Sequence, residues 1–251
     1  MASLTRLEWL VPDWPAPDRI RAAVSTRLGG VSHGGYASLN LADHVGDNAA
    51  LVAENRRRLA AALSLPEEPR WLEQVHGTAV ISADDAVGPA KADGSWSSRA
   101  GVVCAVLTAD CLPVLMCDRA GTTVAAIHAG WRGMCAGILQ TAVGRFTDAG
   151  ISPEDILVWF GPAISAGNYE VDDALQARFI SKQRTCTAAF SAGRSGHWQL
   201  DLYAAARSIL MLKGIHDFSG GDFCTYDDER FYSYRKAAVC GRQASLVWIA
   251  E

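Results

Sequence analysis

In TADCLPVLMCDRAGTTVAAIHAGWRGM, residues 108–134, a cysteine and a histidine stand at opposite ends of one apolar stretch with a turn at its middle. If Asp118-Arg119-Ala120-Gly121 forms a four-residue turn, antiparallel pairing sets Cys117 across from Thr122 and Cys111 across from His128. Directly opposed residues share a face, with Cβ atoms roughly 5 Å apart. A thiolate and an imidazole at that separation can share a metal ion or a proton. The plain alternative is a buried thiol beside a satisfied histidine, since free cysteine is a common core residue. The neighbours weigh against it. Asp110 adds an ionisable group beside Cys111, and the glycines of HAGWRG let backbone approach a ligand closely.

WLEQVHG offers a third donor, because His76 ends an apolar run and precedes a glycine. His76, Cys111 and His128 make a Cys-His-His set. Three protein ligands with one position left open is the catalytic arrangement of zinc, whereas structural zinc takes four. With Met116 or Met134 as a weak axial ligand the same set suits copper. The seven cysteines include no CxxC and the six histidines no HxH, so several copper ions are hard to house. Zinc is the expected cofactor, with copper possible. A metal-free reading makes Cys111 a nucleophile activated by His128 and oriented by Asp110 or His76. His33 and His44 fall in turn-rich segments, and His197 and His216 read as loop or surface residues.

The elements that must position these residues follow from periodicity. Strands are expected over 21–27, 70–76, 80–82, 102–107, 114–117, 122–127 and 156–160, and in the tail ASLVWIAE. Helices are expected over 48–63, capped by Asp47, and over 134–148, 172–181 and 202–213. Interspersed helices and strands with at least one hairpin predict an α/β fold, a layered single domain (1–251) of mixed β-sheets flanked by helices.

The bulk composition narrows the function classes. Of 251 residues, 49 % are hydrophobic and 20 % charged, an ordinary globular balance, and the net charge of −4 supplies no general field for nucleic acid or anionic lipid. The basic run Arg56-Arg57-Arg58 reads as a solvated helix face. Pro12, Asp13 and Pro15 interrupt the N-terminal segment, which reads as neither a secretion signal nor a membrane span. Cys104, Cys117 and Cys135 lie in apolar runs as free thiols do, so a cytoplasmic setting is expected. A small-molecule substrate, no nucleic acid and no membrane are the expected partners.

The strings STRLGGVSHGGYASLNL, HVGDN, ENRRRL, WLEQVHG, TADCLPVLMC, HAGWRG, GPAI, GGDFCTY, FYSYR and a late GR closely resemble the YfiH-like family, also called the laccase-domain or multicopper polyphenol oxidase family. The resemblance runs from about Val11 to the C-terminus. It implies one α/β domain of layered mixed sheets and a metal on His76, Cys111 and His128. One departure is KAAVCGR after FYSYR, where a second arginine and a Thr-Gly-Arg ending would be expected; Arg235 and Arg242 remain. Family members are variously described as purine nucleoside phosphorylases with adenosine deaminase activity, as peptidoglycan-editing enzymes, and as copper-dependent phenol oxidases.

Each activity makes demands on the residues. Metal-activated water could deaminate adenosine, or cleave a wrongly added amino acid from a muramoyl precursor. Phosphorolysis of a purine nucleoside also needs an anion pocket, for which Arg27, Arg56 and Arg132 are candidates, with Ser38 and Asn40 as partners for ribose or phosphate oxygens. Surface ion pairing and turn capping are the plain alternatives for these five. Asp110 and Asp93 are the candidate general acids. Purine nucleoside phosphorolysis with adenosine deamination is the leading expectation, then precursor editing, then phenol oxidation, then a metal-free Cys-His hydrolase.

Overall fold

A computed structural model describes residues 7–85 and 88–251; the part of the N-terminal reading that concerns residues 1–6 lies outside the described residues. The architecture is a mixed α/β arrangement built around two stacked sheets. The larger has six strands, in the order Asp217–Gly220, Ile156–Phe160, Leu112–Asp118, Val124–Ala129, Gly94–Ser97 and Val80–Ser82, with parallel pairs only at its two edges. The second has four antiparallel strands, in the order Trp9–Leu10, Ile20–Ser25, Gln243–Ile249 and Cys104–Thr108.

The uninterrupted apolar runs are explained by burial on both faces. Along Leu112–Asp118, residues 112, 114 and 116 pack against the helices, while 115 and 117 pack against the second sheet. Along Val124–Ala129, Ala125, Ile127 and Ala129 face the helices and Val124 and Ala126 the other sheet. Helices Trp131–Ala136, Ile138–Asp148 and Leu202–Met211 cover the outer face of the six-stranded sheet. Helix Ala49–Leu63 covers the outer face of the four-stranded one through Leu59 and Leu63. The layer order is helix, sheet, sheet, helix.

The hairpin register differs from the expected one. Pro113, not Cys111, lies opposite His128, and Cys117 lies opposite Val124. Asp118 is the cause. Its backbone N–H donates to Thr123 O, and its carboxylate accepts from the Thr122 and Thr123 N–H groups, both at 2.7 Å. Asp118 therefore ends the strand, and the loop is 119–122. Continuing that register puts Cys111 opposite Gly130.

Other boundaries move for equally local reasons. Asn48, not Asp47, caps the first helix by accepting from the Ala50 and Leu51 N–H groups, while Asp47 accepts from Ser32 and Asn40. The expected strand over 70–76 shortens to Leu72–Glu73, because His76 turns into the left-handed region at φ 58°. The expected helix over 134–148 is two helices divided at Gly137, φ 106°. A small sheet of Glu170–Asp172, His197–Leu200 and Phe190–Ala192 was not expected, nor were the strands Gly94–Ser97 and Asp217–Gly220. Among the described residues no helix is long and apolar enough to cross a membrane. All seven cysteines are free thiols.

Candidate functional site

His128 sits at the end of its strand, 3 % exposed, and strand alternation turns it toward the layer between the sheets. Its Nδ1 is 2.8 Å from Asp93 Oδ1, which leaves Nε2 to face Cys111. Asp93 is fully buried and holds both histidines. It accepts backbone N–H bonds from Val75, His76 and Gly77 at 3.2, 2.8 and 2.6 Å, so the loop that presents His76 and the ring of His128 share one carboxylate. Burial works against that carboxylate, but the bonds from His128, Gly77 and His76 outweigh it and keep it below the ordinary range.

Cys111 completes the set. Its Sγ is 4.0 Å from His76 Nε2, the two imidazoles meet edge to face with centroids 4.8 Å apart, and the three donor atoms all lie within 4.8 Å of one another. Metal bonds of about 2.3 Å to sulfur and about 2.0 Å to nitrogen at a tetrahedral angle put such donors roughly 3.5 Å apart, so small side-chain adjustments close the trio on one ion. Gly130 makes the space, since a Cβ there would lie 2.9 Å from Cys111 Sγ and 3.6 Å from His128 Nε2. A carboxylate such as Asp93 orienting the ligating imidazole is what metal-binding histidines commonly have. The residues fit a metal.

The electrostatics favour a thiolate at Cys111, the form a metal needs, beside a charged imidazole at His128, which has to give up its proton to a metal. Burial alone would raise the Cys111 thiol, but His128 and His76 beside it bring it down to about 6. Burial likewise disfavours charge on His128, yet Cys111 and Asp93 raise it to about 9. A thiolate is thus available near neutrality, which is the form that binds metal. Cys104 and Cys117, buried without such partners, are pushed up to about 12.

The trio opens into a cavity of about 550 Å³ where the two sheets part. Arg132, Arg235 and Arg242 give it positive walls, and Trp131, Tyr169 and Tyr234 give it aromatic ones. Asp110, φ 83°, lines it too, but both its carboxylate oxygens are engaged, Oδ1 by the Thr225 hydroxyl at 2.7 Å and Oδ2 by the Arg235 N–H at 2.6 Å. Of the five residues expected to bind substrate, Arg132 lines this cavity. The other four lie elsewhere.

Arg27 donates to Ala37 O and stacks on Tyr232, and it lines a separate cavity of about 420 Å³. Ser38 bridges Gly30 N–H and Arg27 O. Asn40 is fully buried and serves Ala42, Asp47 and Arg242. Arg56 donates to Leu41 O, lies over Trp71 and faces Asp43 at 3.5 Å. Met116 and Met134, considered as axial copper ligands, are fully buried in the helix-side core and do not line the cavity. Gln74, His44 and Tyr234 line it too and stand within QVHG, HVGDN and FYSYR, though none was singled out as a site residue; Tyr169 also lines it and carried no local signal in the sequence.

Comparison with known proteins places this arrangement. Residues 21–250 match the family model described as multi-copper polyphenol oxidoreductase laccase. The chain belongs to this family. Its relatives include a purine nucleoside phosphorylase of Pseudomonas aeruginosa, 47 % identical over 97 % of this chain and 99 % of that one. Another is the purine nucleoside phosphorylase YfiH of Escherichia coli, 48 % identical over 96 % and 98 %. Among solved structures, a Neisseria meningitidis protein superposes with a TM-score of 0.92 at 43 % identity, covering 97 % of this chain and 99 % of that one. YlmD from Geobacillus stearothermophilus superposes at 0.88 with 32 % identity, covering 97 % and 96 %. The mixed α/β layering is therefore that of the YfiH fold.

Proposed function

We propose that the chain is a purine nucleoside phosphorylase with accompanying adenosine deaminase activity, and that His76, Cys111 and His128 hold zinc. The observation that carries this reading is the convergence of the three donors on a cavity walled by arginines on one side and aromatic rings on the other. Phosphate needs cations, and a purine needs flat apolar surface. At about 550 Å³ the cavity is of the size that small-molecule sites have. The relatives named as purine nucleoside phosphorylases support the same class.

Zinc held by His76, Cys111 and His128 would supply a Lewis acid. The chain's own residues do the rest. Arg132 and Arg235 orient phosphate so that one of its oxygens attacks C1′ of the ribose. The bond from C1′ to the base nitrogen then breaks and its electron pair goes to the purine. Trp131 and Tyr169 hold the base and exclude water from the reacting bond. Asp93 acts through His76 and His128 as a positioning carboxylate. Asp110 ties the loops of Thr225 and Arg235 to the cavity wall.

A single three-donor group among the described residues favours one-metal chemistry over a multicopper oxidase, which has to pass four electrons to oxygen. The test is to give the purified protein inosine with phosphate, and separately adenosine. Hypoxanthine with ribose 1-phosphate, and inosine, are the expected products, both lost on chelation and regained with zinc. No hypoxanthine from metal-loaded protein overturns the phosphorylase reading. An amino acid released from a muramoyl precursor would assign the site to editing instead.

A further inference from the structure

Beside the metal cavity lies a second pocket of about 270 Å³, and the two share Trp131 and Arg132 as a common wall. Arg178 and Lys182, one turn apart on helix Asp173–Lys182, form its far side, with Cys135 and Ala136 as its floor. Three cations line it and no carboxylate does. None of the three is ion-paired to a carboxylate among the described residues. Some surface cations elsewhere are paired, Arg57 and Arg58 with Glu54, Arg194 with Glu170, and Arg230 with Asp228, whereas this cluster faces no carboxylate.

The indole of Trp131 organises the cluster. The Arg132 guanidinium lies 4.6 Å and that of Arg178 5.8 Å from a Trp131 ring centroid. Cation–π attraction to an indole steadies a guanidinium without using its N–H donors. Two planar donors and one ammonium around a small pocket match a tetrahedral dianion.

We propose that Arg132, Arg178 and Lys182 form a second anion subsite, which takes a phosphoryl group next to the metal cavity. Its place as the continuation of that cavity makes the natural ligand a phosphate ester carried by the nucleoside, with free phosphate as the other source of the same chemistry. The nucleoside part of this inference rests on the proposed function. The anion part does not.

Calorimetric titration of the metal-loaded protein with adenosine, adenosine 5′-monophosphate and inorganic phosphate tests both parts. The test compares the unaltered chain with Arg178→Ala/Lys182→Ala, whose side chains are exposed and outside the metal cavity. The monophosphate is expected to bind roughly tenfold tighter than adenosine, an advantage that the double variant and raised salt both remove. Adenosine affinity stays the same. If the double variant weakens inorganic phosphate instead, the subsite exists and serves the free anion. If it changes neither phosphate-bearing probe, the subsite is overturned, whatever becomes of the phosphorylase reading. If adenosine fails to bind at all while phosphate responds to the variant, the nucleoside reading fails and the anion subsite stands.

Discussion

Two polar regions of this molecule look equally chemical in sequence and behave differently in three dimensions. The segment 26–58 carries Arg27, Ser38, Asn40, Asn55 and Arg56 among glycines. There each polar group is engaged by nearby backbone. Asn55 alone takes Val31 N–H at 2.8 Å and donates to Ser32, Ser38 O and Asn40 O. In the cavity at the sheet ends Asp110 and Arg235 are engaged in the same way, but four groups are the opposite case. Cys111 and the Nε2 atoms of His76 and His128 face one another without backbone partners, and Arg132 rests on an indole and has no carboxylate mate. Polar residues whose bonding capacity is spent on the fold shape the chain, while those whose capacity is left over can act on a ligand.

Substitution can break this contrast, and the largest effect is expected at its centre. Cys111→Ser keeps the side-chain volume and removes the soft donor. Bound zinc, measured by elemental analysis, and hypoxanthine release should both collapse, the latter by on the order of 10³-fold or more, with the circular dichroism spectrum unchanged. Retained metal-dependent turnover in that variant would dissolve the distinction. Next comes Asp93→Asn, which keeps the shape but weakens the shared anchor of both histidines. Metal affinity or activity should fall about 10- to 100-fold.

The smallest effects sharpen the contrast between arginines. Arg132→Ala should lower kcat/KM roughly tenfold by removing a charge-assisted contact to phosphate. Arg56→Ala should leave kcat/KM within about twofold and lower the melting temperature instead, because its work is to hold Leu41 O and cover Trp71. A large kinetic loss at Arg56 would move the phosphate site into the 26–58 segment.

Strand and helix identities were legible where burial dictated them. Ile156–Phe160 lies where the apolar run ends at Gly161-Pro162, and the Leu112–Asp118 and Val124–Ala129 hairpin is in place. The convergence of His76, Cys111 and His128 was legible as well, though by a register that the structure corrects. The error was harmless for a reason. Moving the partner of Cys111 from His128 to Gly130 is a shift of two, which preserves the face each side chain occupies. The glycine then provides the room that the direct pairing would have lacked.

Tyr169 could not be read as a cavity residue, because its place depends on a loop folding back from a distant part of the chain. The sheet of Glu170–Asp172, His197–Leu200 and Phe190–Ala192 is too short and too polar to announce itself by periodicity.

By itself the sequence determined the donor types, the hairpin that carries His128 and follows Cys111, and the face those two share, since alternation and donor chemistry are local properties of a chain. Only the tertiary structure decided that Asp93 anchors both histidines, that Asp110 spends its carboxylate on Thr225 and Arg235, and that Arg27 and Arg56 lie outside the cavity at the sheet ends. Whether a polar group is spent or left available depends on which distant backbone reaches it, and that is set when the sheets stack.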